Sequence, residues 1–325
     1  MPRTAPPTSR ALYARQVCPN KRTGRGDRIG AASGREGPLR FSWFLARGNQ
    51  SRCPSLAFLR QFGQRRSGAS PHMVFSMACL SDQATQTLKQ AGKEDMSKSL
   101  EKAHADLVNQ RVDYIEYGDP DRLTAKQRAK LNCQLLQQAL VHRAERLMIA
   151  TGQMFDSKNL YSLALIVRGH VEAVALLGYF SRRLDSLQKG NIDFERFEED
   201  IANGLLGAKD DIFDKAKAPV NILTCLEHTD KHLYTELFGK KIETFRKIYT
   251  WLSEFAHPNF CSNKTAFTLD RETGRMLLRK EEETRDDHFE MLNCLCMSAN
   301  MFSWLLTDFS TRLKKVLPTE TSEGA

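Results

Sequence analysis

The sequence predicts an all-α protein: an antiparallel multi-helix bundle with one small β-hairpin insertion and a long C-terminal helix. Three observations predict this fold class. Apolar residues recur at the three- and four-residue spacing of amphipathic helices through most of residues 81–317. The segments between these patterns are short, as they are between antiparallel neighbours in helical bundles. Only the stretch around 267–278 alternates apolar and polar residues on both sides of a glycine, which is typical of a hairpin.

The first 72 residues differ in composition from the rest of the 325-residue chain. They carry a net charge of +12 and only two acidic residues, whereas residues 73–325 carry a net charge of −3. Glycine, proline, serine and arginine dominate this leader, and no helical or strand period persists in it, so we expect it to be disordered. The basic surplus of the chain belongs to the leader, and the part that folds lacks the charge of a nucleic-acid-binding domain.

Three interpretations of the leader stay open. It is upstream sequence ahead of a true start at Met73, Met77 or Met96, or a segment that resembles an organelle transit peptide, or an RNA-binding arm. We favour the first. No continuous apolar region follows its basic residues, so it does not match a secretory signal. After the leader we expect a single helical-bundle domain over 81–317 and a flexible tail over 318–325.

The first helical segment covers 81–118, and the Pro120 that follows disfavours helix at the residue before it. Thr124 and Gln127 then match the capping box T-x-x-Q, in which each side chain bonds the backbone N–H of the other residue. A helix is therefore expected to begin at this point and to run to about residue 155.

The next helix is expected to begin near Asp156 or Ser157 and to end at Gly190, a glycine placed for a left-handed C-cap. It contains the most apolar stretch of the chain, LALIVRGHVEAVALLGYF at 163–180. A helix that is apolar on all sides lies at the centre of its bundle. A membrane span is the alternative, but each charged side chain near the centre of a bilayer costs about 2.5–3.5 kcal/mol. Because this stretch holds an arginine and a glutamate, we expect no membrane association.

Three ionisable residues interrupt this apolar stretch. Arg168 and Glu172 are four residues apart and share one face of the helix, whereas His170 lies about 200° away from each of them. A buried charge must be paired or hydrogen-bonded. We therefore expect an Arg168–Glu172 ion pair that fixes the helix register, with the lining of an internal polar pocket as the alternative use of the pair. His170 is expected to be a packed core histidine.

The later elements follow the same logic. The last helix is expected to span about 30 residues, because acidic residues in its first turn and basic residues in its last turn complement the helix dipole. These are Asp286 and Asp287 at the start, and Lys314 and Lys315 at the end. Shorter helices are expected at about 193–206, 220–227, 230–238 and 240–256.

The hairpin is expected to turn at Gly274, since glycine accepts the positive φ that tight turns require. Phe267 and Leu269 alternate with polar residues before the turn, and Met276 and Leu278 follow it.

A second polar motif, LSEFAHPNF at 252–260, ends the helix before the hairpin. Glu254 and His257 are three residues apart in it, and the negative end of the helix dipole favours the protonated form of His257. Ser253 precedes His257 by four residues. No glycine-rich elbow or oxyanion device accompanies that serine, so we do not expect acyl-transfer chemistry.

These two stretches carry a resemblance. Arg168 and Glu172 followed by Ser253-Glu254-x-x-His257-Pro-Asn resemble the R-x-x-x-E … S-E-x-x-H-P-N pattern of a family of uncharacterised bacterial all-α proteins, which also have a hairpin and a long last helix. That family distantly resembles the HEPN helical bundles of toxin and phage-defence systems. The resemblance implies metal-independent ribonucleases with an Arg-x(4–6)-His motif, often acting as dimers, so a homodimer is one expected state. The motif itself does not occur after residue 72.

Metal and cofactor sites are not expected. His228 and His232 have the i,i+4 spacing of half a zinc helix, but Thr229 and Asp230 are typical of a helix start, which would place the two histidines on different elements. The eight cysteines form no C-x-x-C pair and are expected to be small buried residues in a reducing cytosol. No Walker loop and no G-x-G-x-x-G motif is present.

Taken together, these patterns predict a soluble cytoplasmic bundle in which Arg168, Glu172, Glu254 and His257 converge in one polar site. That site organises the fold or binds a polar ligand or a protein partner. The alternative is a HEPN-like metal-independent ribonuclease, with His257 as general acid and base and Arg168 stabilising phosphate charge. RNA is then the partner, which the acidic balance of residues 73–325 disfavours.

Overall fold

The computed structural model describes residues 78–116, 119, 122–208, 218–236, 239, 243–279 and 283–318. The expectations for the leader at 1–72 and for the tail beyond residue 318 lie outside the described residues.

The predicted all-α fold is confirmed in the described residues, which form helices and one two-stranded antiparallel hairpin. The helices are α1 (Asp82–Gln90), α2 (Glu94–Val108), α3 (Ala125–Asp156), α4 (Leu160–Gln188), α5 (Phe194–Leu206), α6 (Ile222–Asp230), a π-helix (Lys231–Glu236), α7 (Thr244–Ala256), α8 (Phe260–Asn263), a 3₁₀-helix (Lys264–Ala266) and α9 (Asp286–Val316). The strands are β1 (Phe267–Asp270) and β2 (Arg275–Leu278).

The single helix predicted at 81–118 is wrong, because the chain forms two helices there. Gly92 has a φ of 69° and follows the last turn of α1. The N–H groups of Gly92 and Lys93 donate to the carbonyls of Lys89 and Leu88, which is the bonding pattern of a Schellman C-cap. The second helix, α2, then ends at Val108, well before the predicted end.

The capping signals on either side of α3 and α4 are confirmed. Thr124 Oγ1 accepts from the N–H of Gln127 at 3.3 Å, and Gln127 Oε1 accepts from the N–H of Thr124 at 2.8 Å. Gly190 has a φ of 70° just beyond α4. The start of α4 is later than predicted, because Asn159 is the residue whose side chain accepts from the N–H of Ser162.

The two short helices predicted at 220–227 and 230–238 are also wrong, because α6 continues directly into the π-helix. Thr229 and Asp230 look like a helix start, but their side chains serve other helices. The Thr229 hydroxyl donates to the carbonyl of Ala175 on α4 at 2.8 Å. The Asp230 carboxylate accepts from the N–H groups of Phe245 and Arg246 at 2.9 and 3.1 Å, and so caps the start of α7.

The core is built around α4, which packs against α9, α6, α3 and α7. By length and composition alone, α4 could cross a membrane, but 56% of its apolar window is buried inside the protein. The last helix, α9, makes the most extensive contact with α4. It has 31 residues, or about 46 Å at the rise of an α-helix.

The hairpin is confirmed and lies at the margin of the bundle. Phe267 pairs with Leu278 and Leu269 with Met276, and Gly274 in the turn has a φ of 64°. Every residue of the two strands is exposed, apart from the half-buried Asp270.

Candidate functional site

The predicted Arg168–Glu172 ion pair forms within α4. Arg168 Nε lies 3.4 Å from Glu172 Oε1, and the two side chains are 22% and 30% exposed. The pair is therefore half-buried rather than sealed in the core. Arg168 Nε makes no hydrogen bond among the described residues, so the attraction between the two groups is electrostatic and not a well-aligned hydrogen bond.

Tyr249 of α7 holds the Arg168 guanidinium in place. Arg168 Nη2 donates to the Tyr249 hydroxyl at 2.5 Å, and the guanidinium carbon lies 4.5 Å from the centre of the Tyr249 ring. A guanidinium over an aromatic face is attracted by the negative charge of the ring face. The buried Tyr249 thus fixes the direction of the Arg168 guanidinium.

A second arginine shares the same carboxylate. Arg143 of α3, which is 54% exposed, places Nη2 at 3.6 Å from Glu172 Oε2. Two guanidinium groups from two helices therefore face one carboxylate. Among these three charged groups, one positive charge is left without a partner.

Glu254 lies elsewhere on α7, and His257 follows the last residue of that helix. Both side chains are exposed. Glu254 Oε2 accepts from Asn259 Nδ2 at 2.7 Å, and no contact in the described residues joins either side chain to Arg168 or Glu172. His257 follows Tyr249 by eight residues, or about 12 Å along the helix axis. Two of the four predicted site residues, Arg168 and Glu172, therefore meet, whereas Glu254 and His257 follow Tyr249 by about one and a half and two helical turns.

The HPN motif serves the local fold. Asn259 Oδ1 accepts from the N–H groups of Cys261 and Ser262 at 3.0 and 3.3 Å. The Ser262 hydroxyl donates to the carbonyl of His257 at 2.7 Å. Tyr161 of α4 ties this turn to the bundle through hydrogen bonds with the Ser262 carbonyl and the Thr265 hydroxyl. These contacts explain why the chain has Asn259 and Ser262 here, because both side chains stabilise the turn that leads into the hairpin.

Arg246 extends the arginine pair onto α7. It lies three residues before Tyr249 and is exposed, so the two are neighbours on the helix surface. Arg246 also lines a shallow surface groove together with Glu243, Lys247, Thr250 and Trp251. We call Arg143, Arg168 and Arg246 the arginine surface.

His170 is a packed core histidine, as the sequence predicts. It is fully buried, and burial lowers the pKa of its imidazole to about 3. Its Nδ1 lies 2.9 Å from the Ser298 hydroxyl, which itself donates to the Leu295 carbonyl at 3.0 Å. Because a serine hydroxyl has one hydrogen, this pattern favours a neutral imidazole that donates from Nδ1.

A buried polar network between α4, α9 and the π-helix was not predicted. Ser181, His232 and Arg312 all hydrogen-bond to Asp308, and Arg312 Nη1 also lies 2.7 Å from Asp185. Burial alone would raise the pKa of the Asp308 carboxyl, but the hydrogen bonds from His232, Arg312 and Ser181 outweigh it and hold that pKa well below its ordinary value. The partners of Asp308 come from α4, the π-helix and α9, so the network ties these helices together.

The remaining histidine and cysteine predictions concern metal binding. His228 lies against the Tyr179 ring, and burial with Arg182 and Arg183 nearby lowers the pKa of its imidazole to about 4. His232 turns to Asp308 instead, so the two histidines face different partners. No group of three or more potential metal ligands occurs in the part of the chain that the structure describes.

The six cysteines in the described residues are free thiols. Four of them are buried, and burial raises the pKa of the Cys79, Cys225 and Cys296 thiols to about 12. Such thiols are protonated and inert at neutral pH.

No protein-family model, curated protein or solved structure matches this chain. The resemblance to the HEPN bundles therefore remains a prediction.

Proposed function

We propose that this protein is a non-catalytic binding module, and that its arginine surface takes an acidic segment of a partner protein. The observation that carries the proposal is the pair of arginines that share Glu172. Arg143 and Arg168 come from neighbouring helices and face a single carboxylate at 3.6 and 3.4 Å. A second carboxylate, supplied by a partner, would balance the remaining positive charge.

Preorganisation supports this use of Arg168. Its guanidinium is already directed by the Tyr249 hydroxyl and ring, so little side-chain freedom remains to be lost on binding. Arginine has five donors in a planar fork, and Tyr249 takes one of them. The free donors suit a carboxylate, which accepts two parallel hydrogen bonds from a guanidinium.

The extent of the basic residues supports a segment as the ligand rather than a single ion. Arg246 continues the positive charge onto α7, one turn before Tyr249. It is exposed, and the groove that it lines is shallow, as expected for a peptide-sized partner and unlike the enclosed pocket of a small molecule.

The free thiols support a reducing compartment. None of the six cysteines in the described residues forms a disulfide, which is the usual state of cytosolic proteins. We therefore place the module in the cytoplasm, where acidic protein segments are available.

The ribonuclease alternative has weaker support. General acid–base chemistry needs its groups within hydrogen-bond reach of one phosphate. Tyr249, which holds Arg168, is about 12 Å from His257 along the axis of α7. The acidic balance of residues 73–325 also disfavours an RNA footprint.

The proposal is tested by following arginine Nε–H resonances of the full chain by NMR during a titration with hexaglutamate peptide. Arg168→Gln and Arg143→Gln assign the two signals by their loss. We expect both signals to shift on addition of peptide. Each single variant should weaken binding at the other arginine about fivefold, the equivalent of roughly 1 kcal/mol for one charged contact.

Arg122→Gln is the matched control, since it removes the same charge from a side chain that is 87% exposed and lies outside the arginine surface. It should leave the titration unchanged. Shifts confined to other arginines would contradict the proposal. So would cleavage of RNA by the wild-type chain that His257→Ala abolishes, because that result would establish the ribonuclease instead.

A further inference from the structure

The hairpin leaves an apolar face without a partner in the described residues. In the register of the two strands, Phe267, Leu269, Met276 and Leu278 point to the same side. These four side chains are 40%, 55%, 63% and 66% exposed. We call them the hairpin face.

The bundle does little to cover or support this hairpin. Its main neighbour in the fold, other than its own partner strand, is the 3₁₀-helix at Lys264–Ala266 that leads into it. An isolated two-stranded hairpin is marginally stable in water, because it buries too little apolar surface to offset the ordering of its backbone. Among the described residues, nothing covers the hairpin face, which leaves it open to a partner.

We propose that a second copy of the chain covers it, with two hairpin faces packing against each other across a two-fold axis. The four side chains expose on the order of 450 Å² of apolar surface, more than half of the roughly 800 Å² that each partner buries in a standard interface. Two identical faces meet in such a packing, so each apolar side chain is covered by another of the same set.

The charge at the tip of the hairpin permits self-association. Asp270 and Glu272 are balanced there by Arg271 and Arg275. Two tips of this composition meet without net repulsion, whereas a tip of one sign would oppose its own copy.

The apolar surface also continues from the hairpin onto the bundle. The Tyr161 hydroxyl bonds to Thr265, two residues before Phe267, and Leu165 lies one turn further along α4. Tyr161 and Leu165 are 39% and 52% exposed. This stripe begins at the base of the hairpin and supplies further surface to the interface. The proposal does not depend on the arginine surface.

Sedimentation velocity of the full chain over a range of micromolar concentrations tests the proposal. We expect a species of twice the 37.0 kDa monomer mass that dissociates on dilution. The double variant Leu269→Asp with Met276→Asp should weaken dimerisation by more than about tenfold, since it places two charges against apolar side chains. Leu223→Asp is the matched control, because Leu223 is 50% exposed on α6, away from the hairpin.

Hydrogen exchange of the wild-type chain gives a second readout that does not depend on any variant folding. Amide protection at 267–270 and 275–278 should rise with protein concentration. A monomer at all concentrations, or a dimer that survives the double variant with its melting temperature intact, would overturn the proposal. Monomers that float with phosphatidylcholine vesicles through this face would also overturn it, and would assign the face to a membrane surface.

Discussion

Arg168 and His170 are two residues apart on α4, yet their environments differ. The Arg168 guanidinium reaches a half-exposed surface, where it lies beside the Glu172 carboxylate and donates to the Tyr249 hydroxyl. The His170 ring lies in the core beside Ser298 and Phe302, where burial favours the neutral form. The 200° between them around the helix separates a half-exposed residue at the surface of the bundle from a residue packed in its core.

The low pKa of His170, about 3 against an ordinary 6.5, links stability to pH. Between these values the unfolded chain binds a proton at this imidazole and the folded chain does not, so stability falls as pH falls from about 6.5 towards 3. Proton binding to His170 in the unfolded chain should by itself lower the free energy of unfolding by about 2 kcal/mol between pH 7 and pH 5.

Urea unfolding at pH 7 and pH 5 measures this effect. His170→Gln, which cannot titrate, should lose about 2 kcal/mol less than the wild type between the two pH values. His142→Gln replaces an exposed imidazole on α3 and is the matched control. Equal losses for the wild type and His170→Gln would show that His170 does not remain neutral in the core.

At the scale of elements, the close approach of α4 and α6 depends on a glycine. A Cβ built on Gly178 would lie 2.7 Å from Thr229 Cγ2 and 2.9 Å from Thr229 Cβ, which no packing tolerates. Thr229 cannot retreat freely, because its hydroxyl is bonded to the Ala175 carbonyl. Gly169 on the same helix is different, since its Cβ would meet Leu147 at an ordinary 3.5 Å.

Two matched substitutions follow from this difference. Gly178→Ala should destabilise the protein by about 1–3 kcal/mol through overpacking, whereas Gly169→Ala should be neutral or stabilising by up to about 1 kcal/mol because alanine favours helix. Chemical unfolding of both variants measures this. Equal stability of the two variants would show that α6 does not rest against α4 at Gly178.

The elements also show what local sequence signals can and cannot predict. The capping box at Thr124, the left-handed Gly190 and the hairpin turn were predictable, because each depends on residues within a few positions of one another. The helix start predicted at Asp230 was wrong, because the Asp230 carboxylate caps the start of α7, about 15 residues later in the sequence. The helix break at Gly92 had a local signal, the glycine itself. The helical apolar pattern continues on both sides of it, however, and so predicted a single helix.

For the molecule as a whole, the missing information is long-range. Tyr249 holds Arg168 from 81 residues away, and Asp308 meets Ser181 from 127 residues away. Helical periodicity shows which face of a helix is apolar but not which helix covers it. The sequence therefore predicted the Arg168–Glu172 pair, whose partners are four residues apart, and missed Tyr249, Arg143 and the Asp308 network.

Substitution of Glu172 tests the central claim most directly, because the proposed function predicts a gain of binding from the loss of a group. Glu172→Gln removes the internal carboxylate and leaves two arginines free for an acidic ligand. The cost in stability should be small, about 1 kcal/mol or less, because the pair is half-exposed and Tyr249 still holds Arg168.

The measurement is the hexaglutamate titration of Glu172→Gln beside the wild type, followed at the Arg168 Nε–H signal. We predict that the variant binds the peptide about fivefold more tightly, a gain of roughly 1 kcal/mol. Unchanged or weaker binding at Arg168 in a variant that melts normally would contradict the claim that Arg143 and Arg168 form a site for an acidic partner.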